Sequence, residues 1–182
     1  MIWAVTYVVL LAALVVRVRS DGTAVPEPAH PLPDEPLWIT RVHHGLFALL
    51  LLGAPVERIV HGTADRWRGI GAALFAGGVV LYRVAGHALG EALSPFTEPR
   101  LGAPLVTHGV YGVLRHPIYV SQAMIAVGAP LVLGCRWMLA VAAAALVVLV
   151  VRIRREEDAL ARTFPDYSRY AAETKRLVPF VF

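Results

Sequence analysis

Arg115-His116-Pro117 opens one apolar run, and Glu156-Glu157 closes the next. Between the runs lies only Gly134-Cys135-Arg136. If both runs are helices, so short a link forces a tight antiparallel hairpin. Its far ends, one basic and one acidic, must then meet at one level. Pro117 suits the first turn of a helix, where its missing N–H costs nothing. His116 then stands near the N-cap, with Arg115 just outside. A helix N-terminus carries free N–H groups and partial positive charge. With Arg115 added, it suits an anion such as a carboxylate or phosphate. Gly109 and Gly112 let the chain turn tightly before it. The pattern predicts a cation-plus-dipole pocket beside two acids and four tyrosines: Tyr111, Tyr119, Tyr167 and Tyr170.

Each residue also has a plainer reading. Arg115 serves equally as a positive-inside anchor, and Tyr111 and Tyr119 as an aromatic belt. Arg152 and Glu156 have the spacing of an i,i+4 surface pair. Their convergence on facing ends of one hairpin favours chemistry. Other residues carry less. His43 and His44 are adjacent, so they point about 100° apart on a helix and do not readily share a metal. His61 falls on the far side. His87, one turn beyond Arg83, reads equally well as a membrane-interface histidine. Gly69-x-Gly71 lacks the strand–turn–helix setting of a nucleotide loop. The single cysteine, Cys135, excludes an internal disulfide and a multi-cysteine metal site. Its place at the hairpin tip reads as incidental.

The elements that must position these groups are membrane spans. The chain is 57% hydrophobic and 16% charged, against about 25% charged in soluble domains. Mean hydropathy is +0.61. The net charge of +4 does not indicate nucleic acid, because basic residues flank apolar runs instead of forming a stripe with aromatics. No basic residue precedes the first run and no small-residue cleavage site follows it, so a signal peptide is not expected. Apolar runs cover residues 2–16, 38–60, 67–89, 117–133 and 137–153. The first falls short of the ~20 residues that cross a bilayer core. A proline-rich loop covers 20–36, and Pro55 is expected to interrupt the second run. Helices are the only sensible choice, since backbone groups in lipid must be satisfied within the segment and barrel-like alternation is absent. Ile153, Leu160 and Phe164 continue a helical stripe, so the fifth helix extends past the membrane until Pro165 breaks it. A second short helix carries Tyr167, Tyr170 and Leu177, and Pro179 ends it.

Basic residues set the orientation. With the C-terminus inside, thirteen of the seventeen Lys and Arg face the cytoplasm, and only Arg58, Arg66, Arg68 and Arg136 face out. The expected fold is an all-α polytopic membrane helical bundle of about five transmembrane helices, N-terminus outside and C-terminus cytoplasmic. Residues 1–182 form one domain: variable N-terminal spans over 1–66, and a catalytic part over 67–182 with cytoplasmic C-terminal helices.

Leu105-Val106-Thr107-x-Gly109-x-Tyr111, Arg115-His116-Pro117-x-Tyr119 and Glu156-Glu157-x-x-Leu160-x-x-x-Phe164-x-x-Tyr167-x-x-Tyr170 resemble the isoprenylcysteine carboxyl methyltransferases. That family belongs to a wider group of small integral-membrane methyltransferases that includes phospholipid N-methyltransferases. The match runs from about Ala88 to the end, and departs at Val110 and Pro165, where the family often has proline and glycine. The resemblance implies S-adenosylmethionine as cofactor, a lipophilic small-molecule or prenylated acceptor, and a site facing the cytoplasm. It implies Arg115 and Glu156 as catalytic residues. Tyr111, His116, Pro117, Tyr119, Glu157, Tyr167 and Tyr170 would bind the cofactor. Sulfonium chemistry suits tyrosine faces, and the acids suit the ammonium or the ribose diol. Arg115 could instead hold an acceptor carboxylate. Two other classes stay open: a nicotinamide-dependent membrane reductase related to sterol reductases, which are generally much longer, and a non-catalytic membrane scaffold.

Overall fold

The computed structural model describes residues 2–20, 37–61, 66–100 and 102–177. The expected ends at Pro179 and within the 20–36 loop lie outside the described residues, apart from Ser20. Six α-helices follow in order: α1 (Ile2–Ser20), α2 (Leu37–His61), α3 (Arg68–Leu89), α4 (Pro117–Leu133), α5 (Trp137–Thr163) and α6 (Tyr167–Glu173). Short 3₁₀ turns sit at Gly90–Ala92 and Gly109–Gly112. No β-strand occurs among the described residues; one parallel bridge joins Leu114 to Lys175. α2, the α3 segment and α5 are long and apolar enough to cross a membrane, and α4 and the apolar part of α1, Ile2–Val15, are shorter. Large aliphatic side chains such as Leu52, Val80 and Val147 are exposed on the outside. In a bundle of this composition that surface suits lipid.

Glycine allows the closest approach in the bundle. Gly71 and Gly78, seven residues apart on α3, face α4, and Gly128 on α4 faces back. A Cβ on Gly71 would stand 2.5 Å from the Val132 backbone nitrogen, and one on Gly128 would stand 2.6 Å from that of Phe75. Lipid tails are as apolar as leucine, so helices in a membrane associate through such close packing. Phe75, fully buried, fills the space between the glycines.

α2 and α5 form the second pair. Thr40, His43, Leu50, Ala54 and Glu57 are among the buried residues of α2, with Phe47 half-buried between them. Steps of three and four along the helix put them on one stripe. The two helices run antiparallel: Glu57 meets the start of α5 and Thr40 meets Arg152 near its other end.

Pro55 does not interrupt α2, which is helical on both sides of it. The carbonyl that its missing N–H leaves free is that of Leu51, and the Tyr7 hydroxyl of α1 donates to it at 2.5 Å. A partner from a neighbouring helix is the condition on which proline is tolerated inside a span. At the α4–α5 link, Gly134 adopts φ 72°, and its N–H returns to the Leu131 carbonyl at 3.1 Å. This left-handed cap ends α4. Cys135 is not incidental there: it is buried, and its thiol donates to the Ala54 carbonyl of α2 at 3.1 Å.

Candidate functional site

The hairpin brings the basic start of α4 and the acidic end of α5 together. α5 continues to Thr163, and Pro165 turns the chain into α6. α6 ends at Glu173, earlier than the expected reach to Leu177. Arg115 supplies the reason. Its Nη1 donates to the Ala171 carbonyl at 2.5 Å and to that of Thr174 at 2.6 Å. Two backbone bonds, Arg115 N–H to Lys175 O at 2.7 Å and Lys175 N–H to Val113 O at 3.1 Å, then hold the tail extended beside residues 113–115. Arg115 therefore faces the tail instead of waiting open at the α4 N-terminus.

Glu157 is the hub of this clasp. Its carboxylate accepts from Arg115 Nε at 3.3 Å, His116 Nε2 at 3.2 Å and Arg176 Nε at 3.0 Å, and Arg176 Nη2 lies 2.6 Å from its second oxygen. Two guanidiniums and an imidazole on one acid are charge-assisted contacts, the strong kind. Tyr170 adds a further tie, donating to the Tyr111 carbonyl at 2.8 Å.

Glu156 faces elsewhere. Neighbours on a helix point about 100° apart, and Glu156 turns toward His116, Tyr119 and Arg152. The Tyr119 hydroxyl meets both the Glu156 carboxylate and the Arg152 guanidinium. The His116 ring, almost wholly buried, lies between the two glutamates and packs on Tyr119 with ring centres 5.6 Å apart. Pro117 is buried at the first turn of α4.

The tyrosines complete the wall. Tyr111, Tyr167 and Tyr170 are all buried. Burial pushes the Tyr170 hydroxyl up to about 12 and raises those of Tyr111 and Tyr167 as well. At neutral pH all three keep their protons, so they offer ring faces and hydroxyl donors, not phenolates. Tyr167 and Tyr170 stand edge to face at 6.0 Å. The buried Tyr167 hydroxyl has no hydrogen-bond partner among the described residues. A cavity of about 200 Å³ adjoins Tyr170 and Thr174, with Thr107, Asp166 and Glu173 on its walls.

The nine residues that the resemblance implied for the site thus gather at one end of the hairpin. His87, set aside there, is exposed. Four participants were missed. Arg176 reads in sequence as one more basic tail residue. Tyr82 of α3 lies near enough to Tyr111 to bear on its hydroxyl electrostatically. Arg152 and Thr40 belong to a buried arm: Arg152 is only 4% exposed, and its Nη1 donates to Thr40 Oγ1 at 2.7 Å and its Nη2 to the Pro95 carbonyl at 3.0 Å. Its spacing to Glu156 suggested a surface pair; Arg152 is instead buried, and the Tyr119 hydroxyl links the two. The spacing itself was the available signal, as was the stripe from Thr40 to Glu57.

The family model of phospholipid methyltransferases matches residues 67–167, more than half of the chain. The chain belongs to that family. Among curated proteins, it is 32% identical over 85 residues to the nickel-cobalt-cadmium resistance protein NccN of Alcaligenes xylosoxydans xylosoxydans. That stretch is 46% of this chain and 40% of NccN, so the likeness covers under half of the relative. Among solved structures, the fold resembles the eukaryotic intramembrane Ras methyltransferase ICMT (isoprenylcysteine carboxyl methyltransferase). The TM-score is 0.58 at 23% identity, over 82% of this chain and 55% of that one. The resemblance drawn from the motif residues and the family match agree.

Proposed function

We propose that the protein is a membrane methyltransferase that uses S-adenosylmethionine and methylates a lipophilic acceptor. The observation that carries this reading is the polar end of the α4–α5 hairpin, closed over by a tail clasped to Glu157. Family membership supports it. The residues present suit the cofactor. The Tyr167 hydroxyl, without a partner among the described residues, lacks just such a polar contact. Protonated tyrosine rings favour a cation at their faces, and Glu156 is an acid not held in the tail clasp. Bound S-adenosylmethionine would supply an electrophilic methyl on a sulfonium.

The chain's own work is then positioning and exclusion of water. Glu157, Arg115 and Arg176 hold the tail in place. His116, Pro117 and Tyr119 shape the start of α4, and Tyr111 and Tyr170 tie the loop to α6. We assign Arg115 to this clasp, because its guanidinium already meets Glu157, the Ala171 carbonyl of α6 and the Thr174 carbonyl just after it. A carboxylate acceptor needs no base. An amine acceptor must lose a proton, and Glu156 is the group to receive it. The acceptor arrives sideways between helices, from the bilayer, at the face that the basic residues assign to the cytoplasm.

Binding tests the reading first. Purified protein in detergent gains thermal stability from S-adenosylhomocysteine and not from NADPH; the reverse result rejects it in favour of a reductase. Labelled methyl from S-adenosylmethionine then enters a lipid or small-molecule extract, and the labelled product names the acceptor.

A further inference from the structure

Arg152 is the least expected residue in the bundle. It lies within a helix of the span-forming pair, where an ionisable group is costly and needs named partners. Its guanidinium is held from three sides: Thr40 of α2, the Pro95 carbonyl of the loop after α3, and the Tyr119–Glu156 pair. His43, one turn from Thr40, is 4% exposed and close enough to feel the Arg152 charge. Its ring packs on Phe47 with centres 4.9 Å apart. The valences here are incomplete. Arg152 Nε and His43 Nδ1 are buried without a hydrogen-bond partner among the described residues. Replacing a whole buried charged cluster with well-packed apolar residues is often neutral or stabilising, although removing one member alone is costly, so stability alone does not account for the cluster.

We propose that Arg152 is a positioning residue: anchored by Thr40 and Pro95, it fixes the Glu156 carboxylate and the Tyr119 hydroxyl at the reacting end of the hairpin. This rests on the reading of that end as a methyltransferase site. It extends that reading to α2, which lies outside the segment matched by the family model. α2 thereby sets the aim of an acid on α5, across a helix interface, through one buried fork. An arginine fork fixes orientation in a way that a lysine ammonium does not. Movement of Thr40 relative to α5 passes to Glu156 through Arg152. A site of this kind tolerates little displacement, since about 1 Å costs on the order of a hundredfold in rate.

The test has two arms. In the first, 3-fluorotyrosine replaces Tyr119 and its fluorine resonance is recorded in detergent micelles. Thr40→Val and Arg152→Lys each move that resonance, whereas Glu57→Gln, at the other end of α2, leaves it in place. An unmoved resonance in Thr40→Val, or an equal movement in Glu57→Gln, overturns the proposal. In the second, labelled methyl transfer is measured into a polar lipid extract of the host membrane. Arg152→Lys lowers kcat about a hundredfold while KM for S-adenosylmethionine stays within about twofold. A matching rise in that KM instead makes Arg152 a cofactor-binding group and overturns the proposal. If the native protein labels no extract, the methyltransferase reading fails by itself, and the fluorine arm still decides whether Arg152 positions Tyr119.

Discussion

The two ends of the α2–α5 seam bury charge in opposite ways. At one end the Glu57 carboxylate accepts the N–H groups of Arg136, Trp137 and Met138, each at 2.9 Å. An acid at a helix N-terminus meets free donors and favourable dipole charge together. Glu57 therefore caps α5 from another helix, and three donors are satisfied. At the other end Thr40, His43 and Arg152 are as deeply buried, yet a donor on Arg152 and the Nδ1 atom of His43 have no hydrogen-bond partner among the described residues. The first end has the form of a structural joint. The second carries unused hydrogen-bonding capacity beside Glu156. If Arg152 positions the site as proposed, the same helix pair separates holding from positioning, and mutations at its two ends should separate them too.

The largest effect is expected at Arg152. Arg152→Met removes the guanidinium beside Glu156, Tyr119 and Thr40 and leaves the half-buried Glu156 carboxylate without it. Breaking a buried pair in this way costs about 3–5 kcal/mol, read as a large fall in melting temperature in detergent. Arg152→Met/Glu156→Gln should recover part of that stability while methyl transfer stays low. A double variant no more stable than the single one would show that the two residues do not act as a pair.

Glu57→Leu comes next. It leaves three N–H groups at the start of α5 without their acceptor, a loss of about 2 kcal/mol. Melting falls, but methyl transfer per folded molecule stays at the native level, because the reacting end of the hairpin lies at the far end of α5. A kcat loss comparable to that of Arg152→Lys would erase the distinction between the two ends.

These ends also mark what was legible in the sequence. The hairpin, its turn and the meeting of Arg115-His116-Pro117 with Glu156-Glu157 follow from run lengths and a three-residue link, which leave the chain no other course. The directions of the side chains do not follow. Glu156 and Glu157 look equivalent side by side, and only the tail, folding back through Lys175 and Arg176, decides which one it clasps. Arg115 looked like an anion binder because sequence does not reveal that α6 will present its last carbonyls to it. Arg152 looked exposed because its other partners, Thr40 and Pro95, are more than fifty residues away. Pro55 looked like a break because the hydroxyl that takes up its freed carbonyl comes from Tyr7, on a different helix.

That last contact gives a smaller prediction on the holding side. Tyr7→Phe keeps the ring packed edge-on against Phe75, 5.6 Å between centres, and removes only the hydroxyl. The Leu51 carbonyl then has no donor from either Pro55 or α1, at a cost of about 1 kcal/mol. Melting falls modestly, hydrogen exchange near Leu51 rises, and methyl transfer is unchanged. Equal melting of the two proteins would mean that α2 carries its proline without help from α1.

The smallest stability effect expected has the opposite sign. His43→Phe removes a buried nitrogen, Nδ1, that has no partner among the described residues, and keeps an aromatic ring beside Phe47. Removing an unsatisfied buried polar atom is neutral or stabilising, by about 0.5 kcal/mol here. Arg152→Met, Glu57→Leu and Tyr7→Phe lower melting; this one should leave it level or raise it slightly. If methyl transfer falls at the same time, His43 is retained against stability for the sake of the site, the trade expected where function and folding compete for one position. If melting drops by as much as in Glu57→Leu, the His43 nitrogen has a structural partner, and the two ends of the seam do not differ in kind.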